Sequence, residues 1–126
     1  MGQSTPSKKQ IVLVVEDEPL LRMMAIDLVE DAGFEAVEAA DADEAVKILE
    51  ARADIRIVFT DIDMPGSMNG MKLAAAVRDR WPPIEIIIVS GHVRLSDVDL
   101  PERSVFFSKP YDWQTVTATL HRMARH

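Results

Sequence analysis

The 126 residues carry fourteen Lys and Arg against twenty-one Asp and Glu, a formal charge of −7, and 48% of them are apolar. The length fits one domain, and the apolar fraction excludes wholesale disorder. The acidic balance opposes autonomous nucleic-acid binding, and the absence of Cys removes disulfides, thiol catalysis and Cys-ligated metals.

Residues 1–9 (MGQSTPSKK) are small, polar and interrupted by Pro6, and read as a flexible tail with no signal-peptide core. The domain proper is expected over residues 10–126. IVLVV, residues 11–15, is a β-branched run apolar on both faces, which suits a central strand of a parallel sheet. After Pro19, residues 20–32 place Leu21, Met24, Ala25, Leu28 and Val29 at helical spacing, and Gly33 supplies a stop.

The cycle then repeats. Residues 35–39 are a short strand, and 42–53 a helix presenting Ala45, Val46 and Leu49. Residues 55–60 (IRIVFT) are a strongly apolar strand running straight into Asp61. A helix over 71–81, with Leu73, Ala74, Val77 and Trp81 inward, is stopped by Pro82 and Pro83. Residues 84–90 and 104–108 are further strands. The last helix, 112–125, is expected to bury Trp113, Val116 and Leu120, with Asp112 at its positive end and His121, Arg122 and Arg125 at its negative one. Alternating strands and helices call for an α/β fold with a parallel sheet covered on both faces.

In such sheets functional residues gather at the carboxyl ends of the strands. Those ends read Glu16-Asp17-Glu18, Asp61 with Asp63, Ser90-Gly91-His92, and Lys109-Pro110. Converging carboxylates repel unless positive charge lies among them, and oxygen ligands without His or Cys suit a hard divalent cation, Mg²⁺. Each residue has an ordinary reading as well. Asp61 can cap a turn, the acidic triplet can face a helix dipole, Ser90 can open a turn and Lys109 can be a surface lysine. Asn69-Gly70 reads as a turn and helix start, and Met23, Met24 and Met71 as packing rather than a metal site.

Together, VLVVEDEPLLR, VFTDIDMPG with the following NG, IIIVSG and FFSKP resemble the receiver domain of two-component response regulators, over residues 11–123. The resemblance implies the flavodoxin-like (CheY-like) doubly wound sheet of five parallel strands. It implies that Asp61 accepts a phosphoryl group from a sensor histidine kinase or histidine phosphotransferase. It further implies Asp17 as a direct Mg²⁺ ligand beside Glu16, the backbone carbonyl of Asp63 as another, Ser90 as the switch hydroxyl and Lys109 as the partner of a phosphoryl oxygen. The chemistry fits, because a carboxylate can hold the group as an acyl phosphate and catalysis is mostly positioning and charge neutralisation.

Three departures from the family pattern stand out. The MPGSMNG loop holds one residue more than usual. Residues 91–103 have weak helical periodicity, so the fourth helix of the family is expected to be short or irregular. Phe106 occupies the switch position where many relatives carry Tyr. The expectation is a stand-alone cytoplasmic module, monomer or weak dimer, that switches contacts with a downstream protein target, touches neither nucleic acid nor membrane, and is not a turnover enzyme. A fragment of a longer regulator or hybrid kinase is the alternative origin. The alternative functions are a small haloacid-dehalogenase-like phosphatase using Asp61 and Asp63, and a flavodoxin-like cofactor binder. Pro65 disfavours the first, and the lack of a Gly-rich phosphate loop disfavours the second.

Overall fold

A computed structural model describes residues 9–63, 69–91 and 100–125. Five strands, β1 (Ile11–Val15), β2 (Glu35–Ala39), β3 (Ile55–Asp61), β4 (Glu85–Ser90) and β5 (Ser104–Ser108), form one parallel sheet in the order β2-β1-β3-β4-β5. Between them run α1 (Pro19–Asp31), α2 (Ala42–Ala51) and α3 (Gly70–Arg80), and α4 (Trp113–Ala124) follows β5.

Local sequence sets the helix ends. Pro19 opens α1, where a missing N–H costs nothing, and Gly33 closes it at φ 99°, with the amides of Gly33 and Phe34 donating back to Glu30 and Val29. Asp41 caps α2 by accepting from the Glu44 amide, while Glu44 accepts from the Ala40 amide. Asn69 caps α3 through the Lys72 amide and Asp112 caps α4 through the Gln114 amide. Arg80 closes α3 with its guanidinium 4.2 Å above the Trp81 ring.

Each β1 residue is buried, as an apolar run with helices on both faces requires. Leu13, Val15, Val58, Ile86 and Ile88 pack under α2 and α3, and Val12, Val14, Ile57, Phe59, Ile87 and Val89 pack under α1 and α4. Two inward assignments are corrected. Trp113 is 60% exposed and Met24 57%, and Met23 is exposed as well, so neither methionine is packing. α4 buries Val116, Leu120 and Met123 instead, and α1 buries only Ala25 and Val29. Both helices thus carry apolar residues beyond those they bury.

His92, residues 1–8 of the tail, residues 64–68 of the MPGSMNG loop and residues 92–99 of the segment expected to hold the irregular fourth helix lie outside the described residues.

Candidate phosphoacceptor and metal site

The strand order reverses between β1 and β3, since the chain steps outward to β2 and then returns past β1. At that switch point the loops after the two strands diverge and leave a crevice. Register fixes what fills it. Val15 pairs with Thr60, Asp61 with Val89 and Ser90 with Ser108, so the carboxyl ends of four strands lie side by side. The amides of Glu16, Ile62 and Lys109 continue the ladders to the carbonyls of Ala39, Val89 and Ser90 at 3.1, 2.9 and 2.8 Å.

Glu16, Asp17 and Asp61 converge there, with one carboxylate oxygen from each lying within 4.8 Å of the others. Glu16 is 6% exposed and Asp61 4%. The ammonium of Lys109 lies 2.7 Å from Asp61 Oδ2 and 3.5 Å from Glu16 Oε1. Asp61 Oδ1 accepts from the Asp63 amide at 3.0 Å, and Glu16 Oε2 from the Glu18 amide at 3.2 Å.

The electrostatics follow from that crowding. Burial pushes Glu16 from 4.5 up to about 7; the Glu18 amide and Lys109 pull it down, while the Asp61 charge and the bond with Asp17 push it up. For Lys109, burial works to depress the ammonium. The bond to Asp61 and the charges of Asp61 and Glu16 outweigh it and hold the group above its ordinary range.

Two of the three clustered carboxylates are buried and share a single lysine, so their donor set is short of positive charge. A magnesium sphere, with metal–oxygen distances of about 2.1 Å, places opposite oxygens about 4.2 Å apart. The cluster therefore fits a hard divalent ion in both chemistry and size.

The other residues expected at the site divide into two groups. Ser90 and Asp63 belong to it, joined by a hydrogen bond from Ser90 Oγ to Asp63 Oδ2 of 3.0 Å. Phe106 does not. It lies half-buried on β5, paired in register with Ile88 and packed toward the α2–α3 side.

Sequence reasoning missed three contributors. Arg22 donates from Nη1 to the Glu16 carbonyl at 2.9 Å and from Nε to Glu38 at 3.1 Å, clamping the end of β1 to α1 and β2. Gly70 brings the first turn of α3 so close that a Cβ would collide with the Asp61 carbonyl oxygen. Tyr111, stacked edge-on against Phe59, has a phenol raised by burial and sits within the fields of Lys109, Glu16 and Asp61. Only the Asn-Gly pair carried a sequence signal for such proximity, and it reads equally as a turn.

Comparison with known proteins agrees with this geometry. The response regulator receiver domain family matches residues 12–120, so the chain belongs to that family, a class of signalling domains rather than turnover enzymes. Sensor kinase CckA of Brucella abortus is 31% identical over 116 residues, which is 89% of this chain and 12% of that protein. The nitrogen assimilation regulatory protein NtrX of Azorhizobium caulinodans is 33% identical over 82 residues, covering 64% of this chain and 18% of its own length. The chain thus spans less than a fifth of either relative. The structure of chemotaxis protein CheY4 of Vibrio cholerae superposes with a TM-score of 0.78 at 25% identity, over 91% of this chain and 98% of that one. These matches support a receiver of two-component signalling and lend nothing to the phosphatase alternative. Among the described residues no helix is long and apolar enough to cross a membrane.

Proposed function

We propose that residues 10–126 act as one receiver in which Asp61 takes a phosphoryl group from a phosphohistidine of a sensor kinase or phosphotransferase. The observation that carries this reading is the Lys109–Asp61 ion pair of 2.7 Å beside the Glu16–Asp17–Asp61 cluster. An Asp61 oxygen attacks phosphorus, the new O–P bond forms as the P–N bond breaks, and the electron pair returns to the imidazole nitrogen, which is then protonated. Lys109 is within reach to neutralise a phosphoryl oxygen, and the Asp63 amide orients the Asp61 carboxylate. Asp17, Glu16, Asp61 and the Asp63 carbonyl would hold Mg²⁺, which supplies the remaining positive charge when bound. Loss of the group by hydrolysis of the acyl phosphate is the expected reset.

A protein donor must dock beside Asp61. A groove of about 730 Å³ runs between α1 and α4 up to Glu16 and Lys109, walled by Leu21, Met24, Leu28 and Trp113. Leu20 and Met23 are also exposed on α1. An apolar surface that reaches Lys109, the ion-pair partner of Asp61, suits a helical partner presenting its histidine.

Incubation with Mg²⁺ and acetyl phosphate should add one phosphoryl group to the wild-type protein, read by intact mass. Asp61→Asn should remain unlabelled, and EDTA should abolish labelling. Equal labelling of Asp61→Asn would overturn the assignment.

A further inference from the structure

Asp63 bridges two parts of the site at once. Its amide donates to Asp61 Oδ1, and its carboxylate accepts the Ser90 hydroxyl, both at 3.0 Å. The residue therefore senses the reacting carboxylate with its backbone and holds the hydroxyl of a different strand with its side chain. Ser90 is 27 residues further along the chain and 1% exposed, and its carbonyl accepts from the Lys109 amide at 2.8 Å. Whatever moves the Ser90 backbone is thus transmitted to the segment that carries Lys109.

We propose that the Asp63 side chain is a latch that positions the Ser90 hydroxyl in the resting state and is opened by charge when Asp61 is phosphorylated. This inference rests on the reading of Asp61 as phosphoacceptor. The resting bond is charge-assisted, an O–H donating to a carboxylate, and belongs to the stronger class of hydrogen bonds. A phosphoryl group on Asp61 adds negative charge next to the Asp63 carboxylate and offers Ser90 a second anionic acceptor. Repulsion weakens the old bond while the new acceptor replaces it, so the hydroxyl passes between two partners of similar strength. Such an exchange gives a switch with two discrete positions and little net cost for moving between them. A neutral or apolar side chain at position 63 would leave Ser90 without this resting partner and would remove the repulsion too.

The two effects separate in a double-mutant cycle of Asp63→Ala and Ser90→Ala. Affinity for beryllofluoride with Mg²⁺, a stable stand-in for the phosphoryl group, is read by tryptophan fluorescence. Metal-free stability is read by urea unfolding. With Ser90 present, Asp63→Ala should tighten beryllofluoride binding roughly ten- to a hundredfold, the scale of one hydrogen bond to a charged group. In the Ser90→Ala background the same substitution should tighten it less, because only the repulsion remains to be removed. The urea cycle should show a favourable coupling between the two side chains, part of which Asp63→Asn retains through its amide oxygen. Equal tightening in both backgrounds, or no coupling in urea, would overturn the latch while leaving the phosphoacceptor reading intact. Failure of the wild-type protein to bind beryllofluoride, with coupling in urea still present, would instead refute the phosphoacceptor reading and the switching role together.

Discussion

Replacing Glu16 by Gln is expected to stabilise the metal-free protein at mildly alkaline pH and to change little in acid. Burial is the main reason Glu16 stands at about 7 instead of 4.5, with Asp61 and Asp17 adding to the rise. A carboxyl group whose folded pKa lies above its unfolded one binds more protons when folded between the two values, so stability falls as pH rises through that window. At about 1.4 kcal/mol per unit, the loss assigned to Glu16 between pH 4.5 and about 7 comes to about 3 kcal/mol. Gln removes that loss, which already includes the pull of the Lys109 ammonium 3.5 Å away, but its single amide oxygen can accept from only one of Lys109 and the Glu18 amide. The net gain is therefore set at about 1–3 kcal/mol above pH 7.

Lys109 does not distort this comparison. Its raised pKa contributes stability that is fully present below 10.5 and is lost only above it, which is flat across the window of interest. The assay is urea unfolding in EDTA, followed by the fluorescence of Trp81 and Trp113, at about pH 5 and about pH 8. Wild type should lose stability between the two conditions and Glu16→Gln should lose much less. Parallel pH profiles for the two proteins, or a variant less stable than wild type at pH 8, would show that Glu16 is not held at the cost inferred.

Three further outcomes follow from the same geometry. Mg²⁺ competes with a proton on Glu16, so its affinity in a fluorescence titration should rise between about pH 6 and 8 and rise far less in Glu16→Gln. Gly70→Ala, which at most helical positions gains about 0.5–1 kcal/mol, should here cost about 1–3 kcal/mol by overpacking. The added Cβ would meet the Asp61 carbonyl and lie 2.8 Å from Ile62 Cα, so acetyl phosphate labelling should fall along with stability in urea. Trp113→Ala, at a 60% exposed position, should leave stability within about 0.5 kcal/mol yet slow transfer from a phosphorylated kinase far more than transfer from acetyl phosphate.

The strands and helices of this protein were legible because their signals are local. Three of the five strands, 11–15, 35–39 and 104–108, have the bounds their composition predicts, and the helices end at the Pro19, Gly33, Asn69 and Asp112 markers to within two residues. The candidate site was legible for a related reason: in a parallel sheet each strand delivers its next residue to the same edge, so motifs at strand ends become neighbours once topology is known.

Register, depth and side-chain direction belong to the tertiary structure alone. No spacing in the sequence states that Lys109 reaches Glu16 across 93 positions, or that the Ser90 hydroxyl turns to Asp63. Periodicity marks which helix residues share a stripe, but the width of that stripe actually covered depends on how the helix lies on the sheet. That is why Trp113 and Met24 line an open groove while Val116 and Ala25, on the same two helices, are buried. Likewise a glutamate before a helix reads as solvated until the fold buries it, and that burial is the main cause that raises Glu16 and leaves the cluster short of positive charge.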